Sequence, residues 1–235
     1  KRDWPGHNEG EWRVRSSDGK WRWFQFDMDH GLSSHGRPSY DMLAQILEGG
    51  AAPHPLFIEW LKNIDFRPQC INTYAAYRTS YFLTSGELDH FQDILNEIEP
   101  YMPEYQDRWQ LNQAWEDDKE FALSIIDRRA GLRLAQLIKN FNIEGTYQLS
   151  LHTDPSQGSI KVNSILIDGD LPGVTDPASW SGLYFDNIPV NISAISLAGY
   201  TFDHWESNVE IDAFSSELVL HSQDDVNLTA VFVKK

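Results

Sequence analysis

At 235 residues the chain is long enough to bury one sizeable core or to divide into two small domains. It carries 19 Lys and Arg against 35 Asp and Glu, a formal net charge of -16, and such a field repels polyanions, which excludes nucleic acid as an expected partner. Cys70 is the one cysteine, so an internal disulfide is excluded, and no apolar run approaches the length of a membrane span.

The first predicted element is a β-hairpin over residues 10–28. Trp12 and Val14 alternate with charged residues, residues 16–19 carry turn chemistry, and a second arm rich in Trp and Phe follows. The loop predicted after it, at 30–39, is rich in Gly, Ser and Pro.

The remainder of the chain changes its periodicity once. Apolar residues recur at helical spacing from 40 to 142, whereas apolar and polar residues alternate from Tyr147 onward. The sequence therefore predicts an α+β chain with a mainly helical domain at 1–144 and an all-β domain of sandwich type at 145–235.

Two polar clusters flank the predicted hairpin. Asp3 precedes Asn8 by five residues, and Asp27 and Asp29 follow the second arm. Protein kinases use an Asp to accept the proton of the attacking hydroxyl, an Asn five residues later, and a second Asp beyond a hairpin to hold magnesium. Because side chains alternate along a strand, Asp27 and Asp29 project to the same side and could meet one cation. An acidic turn at the end of a strand is the alternative.

Two other kinds of metal site fit these clusters less well. A calcium loop of EF-hand type that begins at Asp27 would need Gly at its sixth position and Glu at its twelfth, where the chain has Leu32 and Pro38. The loop histidines lack the cysteine or helical His pair that would indicate zinc: His7, His30 and His35.

The stretch RDWPGHNEGEWRVRSSDGKWRWFQFDMDHG closely resembles the CotH kinase-like family, bacterial proteins related to the spore-coat protein CotH and to secreted kinases. It has the family's Asp-Trp-Pro-Gly-x-Asn segment, its Trp-Arg strand, its Lys-Trp-Arg-Trp strand and the closing Asp-x-Asp with a Gly. The segments PLFIEWLKNIDFRPQCINTYA and MPEYQDRW also look like the family's C-terminal helices.

The resemblance implies the C-terminal lobe of an atypical protein-kinase fold and the ATP-dependent phosphorylation of a Ser or Thr in a protein substrate, assisted by Mg or Mn. Carried over position by position, Asp3 is the implied catalytic base and Asn8 an implied metal ligand. The metal-binding acid is Asp27 or Asp29, and Asp27 is slightly favoured as the first acid after the strand.

Kinase activity also requires an N-terminal lobe with a phosphate-covering loop and a Lys that grips the phosphates. Only two residues precede Asp3 in the sequence. We therefore expect residues 1–144 to correspond to the C-terminal lobe without its N-terminal lobe, and the chain alone neither to bind ATP tightly nor to transfer phosphate.

Residues 146–234 resemble the small β modules of bacterial surface proteins related to internalin B-type repeats, on the segments GTYQLSLHT, SWSGLYFDNIPVNISA, GYTFDHWE and VNLTAVFV. Such modules imply an extracellular or surface location in bacteria. Four aromatic residues are predicted to form the core of this domain: Tyr200, Phe202, Trp205 and Phe232. An alternative is that Trp180 and Tyr184 are exposed and stack on sugars. The acids of its loops could bind calcium or be solvated: Asp168, Asp170, Asp224 and Asp225.

Two functions are therefore expected. The first is the C-terminal part of a CotH-like, metal-dependent protein kinase with an accessory β module. The second is a non-catalytic surface protein whose β module binds a carbohydrate or protein partner.

Overall fold

The computed structural model describes residues 8–26, 39–48, 55–111 and 114–235. It contains both helices and strands, so the predicted mixed α+β class is confirmed at that level. The described residues form two compact units. One comprises the described residues up to Trp60 together with Glu87–Asn140, and the other comprises Leu61–Gly86 together with Phe141–Lys235.

The first unit begins with the predicted hairpin. Strand β1 (Glu9–Trp12) pairs antiparallel with β2 (Arg22–Gln25), and the register places Glu9 opposite Gln25 and Trp12 opposite Arg22. Trp23 of the second strand meets Trp60 edge to face, with ring centroids 6.0 Å apart. This aromatic pair holds the otherwise exposed hairpin to the helical part of the same unit.

Six helices are present in the described residues. In chain order they are α1 (Met42–Leu47), α2 (Pro55–Leu61), α3 (Phe66–Arg78), α4 (Thr84–Ile98), α5 (Met102–Trp109) and α6 (Trp115–Phe141), with a 3-10 turn at Glu99–Tyr101 between α4 and α5. The long helix α6 buries Ile125, Ile126 and Leu137 as its periodicity predicts. The same helical spacing predicts that Phe121 is buried beside them, but 47% of its surface is exposed.

The second unit contains two four-stranded sheets. Their strands are β3 (Thr146–Thr153), β4 (Gly158–Val162), β5 (Ile165–Ile167), β6 (Ser179–Phe185), β7 (Val190–Ser196), β8 (Tyr200–Ser207), β9 (Glu217–Leu220) and β10 (Val226–Lys234). One sheet has the order β6-β3-β10-β8 and the other β5-β4-β7-β9. The pairing of β10 with β3 is parallel, and the other pairings are antiparallel.

The inner faces of both sheets supply the core of this unit. Burial alternates along β3, where Tyr147, Leu149 and Leu151 are inside. A Cβ on Gly158 of β4 would overlap the ring of Phe232 in β10, so the two sheets are in direct contact there. Of the four aromatic residues predicted for the core, Trp205 and Phe232 are buried, whereas Tyr200 and Phe202 are half-buried.

Helix α3 belongs to the same unit as the two sheets. Asn63 lies in the turn that precedes it, and its Oδ1 accepts hydrogen bonds from the N–H groups of Asp65 and Phe66 at 2.9 and 3.0 Å. One face of the helix is buried through Ile71, Ala75 and Ala76. The sequence pattern assigns this helix to the helical domain 1–144, whereas in the structure it belongs to the unit of the β-sheets. The predicted domain boundary at residues 144 and 145 falls between α6 and β3.

Candidate functional site

Asn8 is the one member of the predicted phosphoryl-transfer site that lies in the described part of the chain. Asp3, Asp27 and Asp29 lie outside the described residues, as do the three loop histidines. Asn8 has a φ of 61° and its carbonyl accepts a hydrogen bond from the N–H of Phe26 at 3.0 Å. The hairpin is therefore closed at the end where Asn8 precedes β1 and Phe26 precedes Asp27 in sequence.

The opposite end of the hairpin is a tight turn. The N–H of Ser16 donates to the carbonyl of Val14 at 2.9 Å, and the N–H of Gly19 donates to the carbonyl of Ser16 at 3.2 Å. A side-chain hydrogen bond from Ser16 lowers the pKa of the Asp18 carboxyl below its ordinary value. Asp18 is thus an acid at the end of the hairpin opposite Asn8 and Phe26.

Arginine and tryptophan side chains cover the hairpin surface in pairs. The guanidinium of Arg13 lies 5.1 Å from the ring centroid of Trp21, and that of Arg22 lies 5.6 Å from the centroid of Trp12. Cation–π contacts at such exposed positions contribute about 0.5–1 kcal/mol each. These contacts hold the four side chains against one another on the hairpin surface, where all four remain exposed to solvent.

Two acids of the β region accept hydrogen bonds from backbone N–H groups, Asp168 within a turn and Asp225 from strand β3. Oδ1 of Asp168 accepts hydrogen bonds from the N–H groups of Asp170 and Leu171 at 3.0 and 3.1 Å, and Oδ1 of Asp225 accepts one from the N–H of Gln148 at 2.8 Å. Within the described ranges, no three His, Cys, Asp or Glu side chains cluster in a way that could hold a metal ion.

The alternative that Trp180 and Tyr184 form an exposed sugar-stacking platform is excluded. Trp180 is 6% exposed and Tyr184 is fully buried, because the register of β6 against β3 turns both side chains towards the core. Tyr184 lies opposite Tyr147, and Trp180 lies opposite Leu151. Neither ring offers a face to a ligand.

A cleft of about 480 Å³ lies in the second unit and was not predicted from the sequence. The region around α3 contributes Ile64, Asp65, Pro68, Gln69, Asn72 and Thr73, and the β region contributes Asn163, Ser164, Pro189, Asn191 and Val219. Its volume lies within the range of small-molecule sites. The available signal was Asn72, a polar residue on the helix face that otherwise carries Ile71, Ala75 and Ala76.

The described helices include none that is long and apolar enough to cross a membrane. Cys70 of α3 is half-buried, and this burial raises the pKa of its thiol, which disfavours the reactive thiolate form.

Comparison of the chain with models of known protein families found no match, and no curated protein and no solved structure matched it either. A functional assignment therefore depends on the residues and the geometry described above.

Proposed function

We propose that residues 3–31 belong to the phosphoryl-transfer centre of a CotH-type protein kinase that is exported to the bacterial surface, with residues 145–235 as an accessory module. The observation that carries this proposal is the 3.0 Å hydrogen bond from the Phe26 N–H to the Asn8 carbonyl. It joins the two chain segments in which the sequence motif places its amide ligand and, one residue beyond Phe26, its first metal-binding acid.

The proposed roles follow from the chemistry of the side chains. Asp3 accepts the proton of a Ser or Thr hydroxyl while that oxygen attacks the γ-phosphorus of ATP, and the bond from this phosphorus to the oxygen of ADP breaks. The amide oxygen of Asn8 and a carboxylate of Asp27 or Asp29 are hard oxygen donors of the kind that bind Mg or Mn. Such an ion neutralises charge on the phosphates.

The proposal is tested by phosphoryl transfer from labelled ATP, with the complete encoded protein, Mg or Mn, and dephosphorylated casein as a general Ser/Thr acceptor. We expect labelling of the protein or of casein, and a decrease of at least about 100-fold in Asp3→Ala, because general bases contribute about 10²–10⁴-fold. Asp18→Asn changes an acid at the other end of the hairpin and is expected to retain full activity. Equal labelling by Asp3→Ala and the unsubstituted protein would contradict the role of Asp3.

A metal-binding measurement is independent of the choice of acceptor. Mn²⁺ binding followed by electron paramagnetic resonance should weaken in Asp27→Asn or Asp29→Asn, and the variant with the larger loss identifies the main ligand. Asp18→Asn again serves as the control. Unchanged Mn²⁺ affinity in both variants would remove the metal site from the proposal.

A non-catalytic surface protein is the second candidate, and the cleft of the second unit favours it. In that case the complete protein transfers no phosphate, and its function is binding through the β region. The two candidates differ in the labelling experiment, since the second predicts the same background for the unsubstituted protein and Asp3→Ala.

A further inference from the structure

The hairpin exposes several large apolar side chains within one short segment. Trp12, Val14 and Trp21 are 47%, 59% and 53% exposed, and Trp23 and Phe24 are 45% and 51% exposed. A single exposed apolar residue is normal on a protein surface, whereas a contiguous patch marks contact with a partner protein or a membrane. Residues 12–24 therefore form a surface whose occupant has to be identified.

The exposed apolar side chains lie on both faces of the hairpin. Residues that oppose each other in an antiparallel pair share a face, and neighbours along a strand lie on opposite faces. The register thus places Trp12 and Phe24 on one face and Trp23 on the other. Trp23 meets Trp60 of α2 and still keeps nearly half of its surface open.

Positive charge is concentrated in the same segment. Residues 12–24 contain four basic residues against the one acid Asp18, a net charge of +3 in a chain whose net charge is -16. The basic residues are all exposed: Arg13, Arg15, Lys20 and Arg22. Because salt screens charges beyond about 8 Å at physiological ionic strength, an anionic surface that touches this segment meets its positive charge rather than the net charge of the chain.

The charges lie directly beside the aromatic rings. The guanidinium groups of Arg13 and Arg22 lie 5.1 and 5.6 Å from the ring centroids of Trp21 and Trp12. The interfacial layer of a bilayer suits this combination, because Trp is enriched at the level of the lipid headgroups and Arg keeps its charge in water while its stem contacts apolar groups.

The distribution over two faces favours a membrane over an acidic protein as the occupant. A folded protein that docks on a two-stranded sheet covers one of its faces. The interfacial layer surrounds a hairpin that enters it and takes up side chains from both faces, as the positions of Trp12, Phe24 and Trp23 require.

We propose that residues 12–24 bind the surface of a membrane that contains anionic phospholipid, with the aromatic rings in the headgroup layer and the four basic side chains at the lipid phosphates. The inference does not depend on phosphoryl transfer, because the charged part of this segment lies at the turn end of the hairpin, whereas Asn8 and Phe26 close the other end.

The experiment is sedimentation of the 235-residue chain with vesicles of phosphatidylcholine and phosphatidylglycerol, and with vesicles of phosphatidylcholine alone. We expect binding at least about tenfold tighter to the anionic vesicles, since each Lys or Arg near such a surface strengthens binding about fivefold. Raising the salt from about 0.1 M to about 1 M should remove this preference.

Trypsin cleavage locates the contact. Anionic vesicles should slow cleavage after the basic residues of the hairpin, above all after Arg15 and Lys20 in the segment that joins the two strands. Cleavage after Arg108, an exposed arginine in the last turn of α5, should keep its rate.

The charge is tested by Arg15→Gln/Lys20→Gln. Both side chains are exposed and lie outside the two strands, so the hairpin is retained while binding to the anionic vesicles weakens about 25-fold. Arg108→Gln/Arg128→Gln removes the same charge from exposed positions of α5 and α6 and should bind within about twofold of the unsubstituted chain.

The apolar contribution is tested by Trp21→Ala, which should weaken binding at least about tenfold. Val14→Ser is a second variant, because it leaves both Arg–Trp pairs in place, and we expect a loss of about fivefold. The matched control is Trp109→Ala, since Trp109 is 62% exposed and lies outside the hairpin; it should bind like the unsubstituted chain.

Three results would overturn the inference. One is equal binding, or none, to the two kinds of vesicle, and another is unchanged affinity in Arg15→Gln/Lys20→Gln. The third is that polyglutamate protects the hairpin from trypsin while the anionic vesicles do not, which would assign residues 12–24 to an acidic polypeptide.

Discussion

The N–H of Phe26 donates to the carbonyl of Asn8 and closes the end of the hairpin opposite its turn, and Asn8 has a φ of 61°. The left-handed region suits Gly and Asn better than other residues. Replacement of Asn8 by Gly therefore keeps the backbone and removes the side chain, which separates a structural role of this residue from a role in metal binding.

We predict that Asn8→Gly weakens Mn²⁺ binding about tenfold, because one oxygen ligand of the proposed site is lost, with a change in unfolding free energy within about 0.5 kcal/mol. Asn8→Ala should in addition lose about 1 kcal/mol of stability, since Ala is strained at a positive φ. Mn²⁺ titrations and urea unfolding measure the two quantities. Asn187→Gly, at a φ of 59°, is the matched control. Retained Mn²⁺ affinity in Asn8→Gly would show that Asn8 is not a ligand.

Two buried tyrosines predict an alkaline limit to the stability of the second unit. Tyr147 and Tyr184 lie opposite each other on β3 and β6, and their hydroxyl groups have no hydrogen-bond partner among the described residues. Desolvation raises the pKa of both phenols above the ordinary value, with a smaller contribution from the charge of Asp186 at Tyr147 and from Tyr147 at Tyr184.

A raised pKa in the folded state means that the unfolded state loses its protons first as the pH rises. Stability is therefore fully present below pH about 10, the ordinary pKa of tyrosine, and decreases above it by about 1.4 kcal/mol per pH unit for each phenol. Urea unfolding between neutral pH and the alkaline range measures this slope. We expect Tyr184→Phe to be at least as stable as the unsubstituted chain at neutral pH and less sensitive to alkali. An unchanged alkaline slope in the Tyr147→Phe/Tyr184→Phe variant would contradict the explanation.

The periodicity of the sequence predicts which segments form helices and strands, but it does not predict which of these elements pack against each other. Hairpin, helices and strands were predictable because alternation and helical spacing are local consequences of which face is buried. The grouping of α3 with the sheets was not, since Ile71 is the one large apolar residue on its buried face, beside Asn72, Ala75 and Ala76. Which helix covers a sheet is decided by tertiary contacts that leave no periodic signal.

The phosphoryl-transfer site could be predicted from the sequence, whereas the cleft of the second unit could not. Asp3, Asn8 and Asp27 share a motif, so their proposed chemistry came from spacing, although the structure describes Asn8 alone among them. The lining of the cleft includes Asn72 and Asn163, which are 91 positions apart and carry no motif. Because asparagine is mostly a surface residue, its burial in α3 was not an expectation that composition could supply.

Gly158 allows the two sheets to approach each other. A Cβ at this position would overlap the ring of Phe232, which is itself packed edge to face against Phe202 with centroids 6.0 Å apart. We predict that Gly158→Ala destabilises the second unit by about 1–3 kcal/mol, the usual cost of overpacking. Gly169→Ala is the control, since no described residue other than its two chain neighbours lies within 4 Å of the Cβ that it would add. Equal urea midpoints for the two variants would show that the ring of Phe232 moves aside without loss of stability.

Arg67 links the start of α3 to the end of α6. Its Nη2 donates to the carbonyl of Phe141 at 2.6 Å, and its guanidinium lies 5.7 Å from the centroid of the Phe141 ring. The bond satisfies one of the carbonyls that the last turn of a helix leaves without an intrahelical partner. The side chain of Phe141 is buried in the same unit, so the two contacts of Arg67 hold the end of α6 in place where the chain enters the β region.

We predict that Arg67→Ala lowers the unfolding free energy by about 1 kcal/mol, because it removes a charged hydrogen bond and a cation–π contact at a position open to solvent. Arg67→Lys should recover less than half of this loss, since an ammonium cannot at once stack on the ring and donate in the plane of a guanidinium. Urea unfolding gives the free energies, and Arg128→Ala, an exposed arginine of α6, should change them by less than about 0.5 kcal/mol. If Arg67→Lys is as stable as the unsubstituted chain, the positive charge alone accounts for the contribution of Arg67 to the unfolding free energy, and the planar guanidinium is unnecessary.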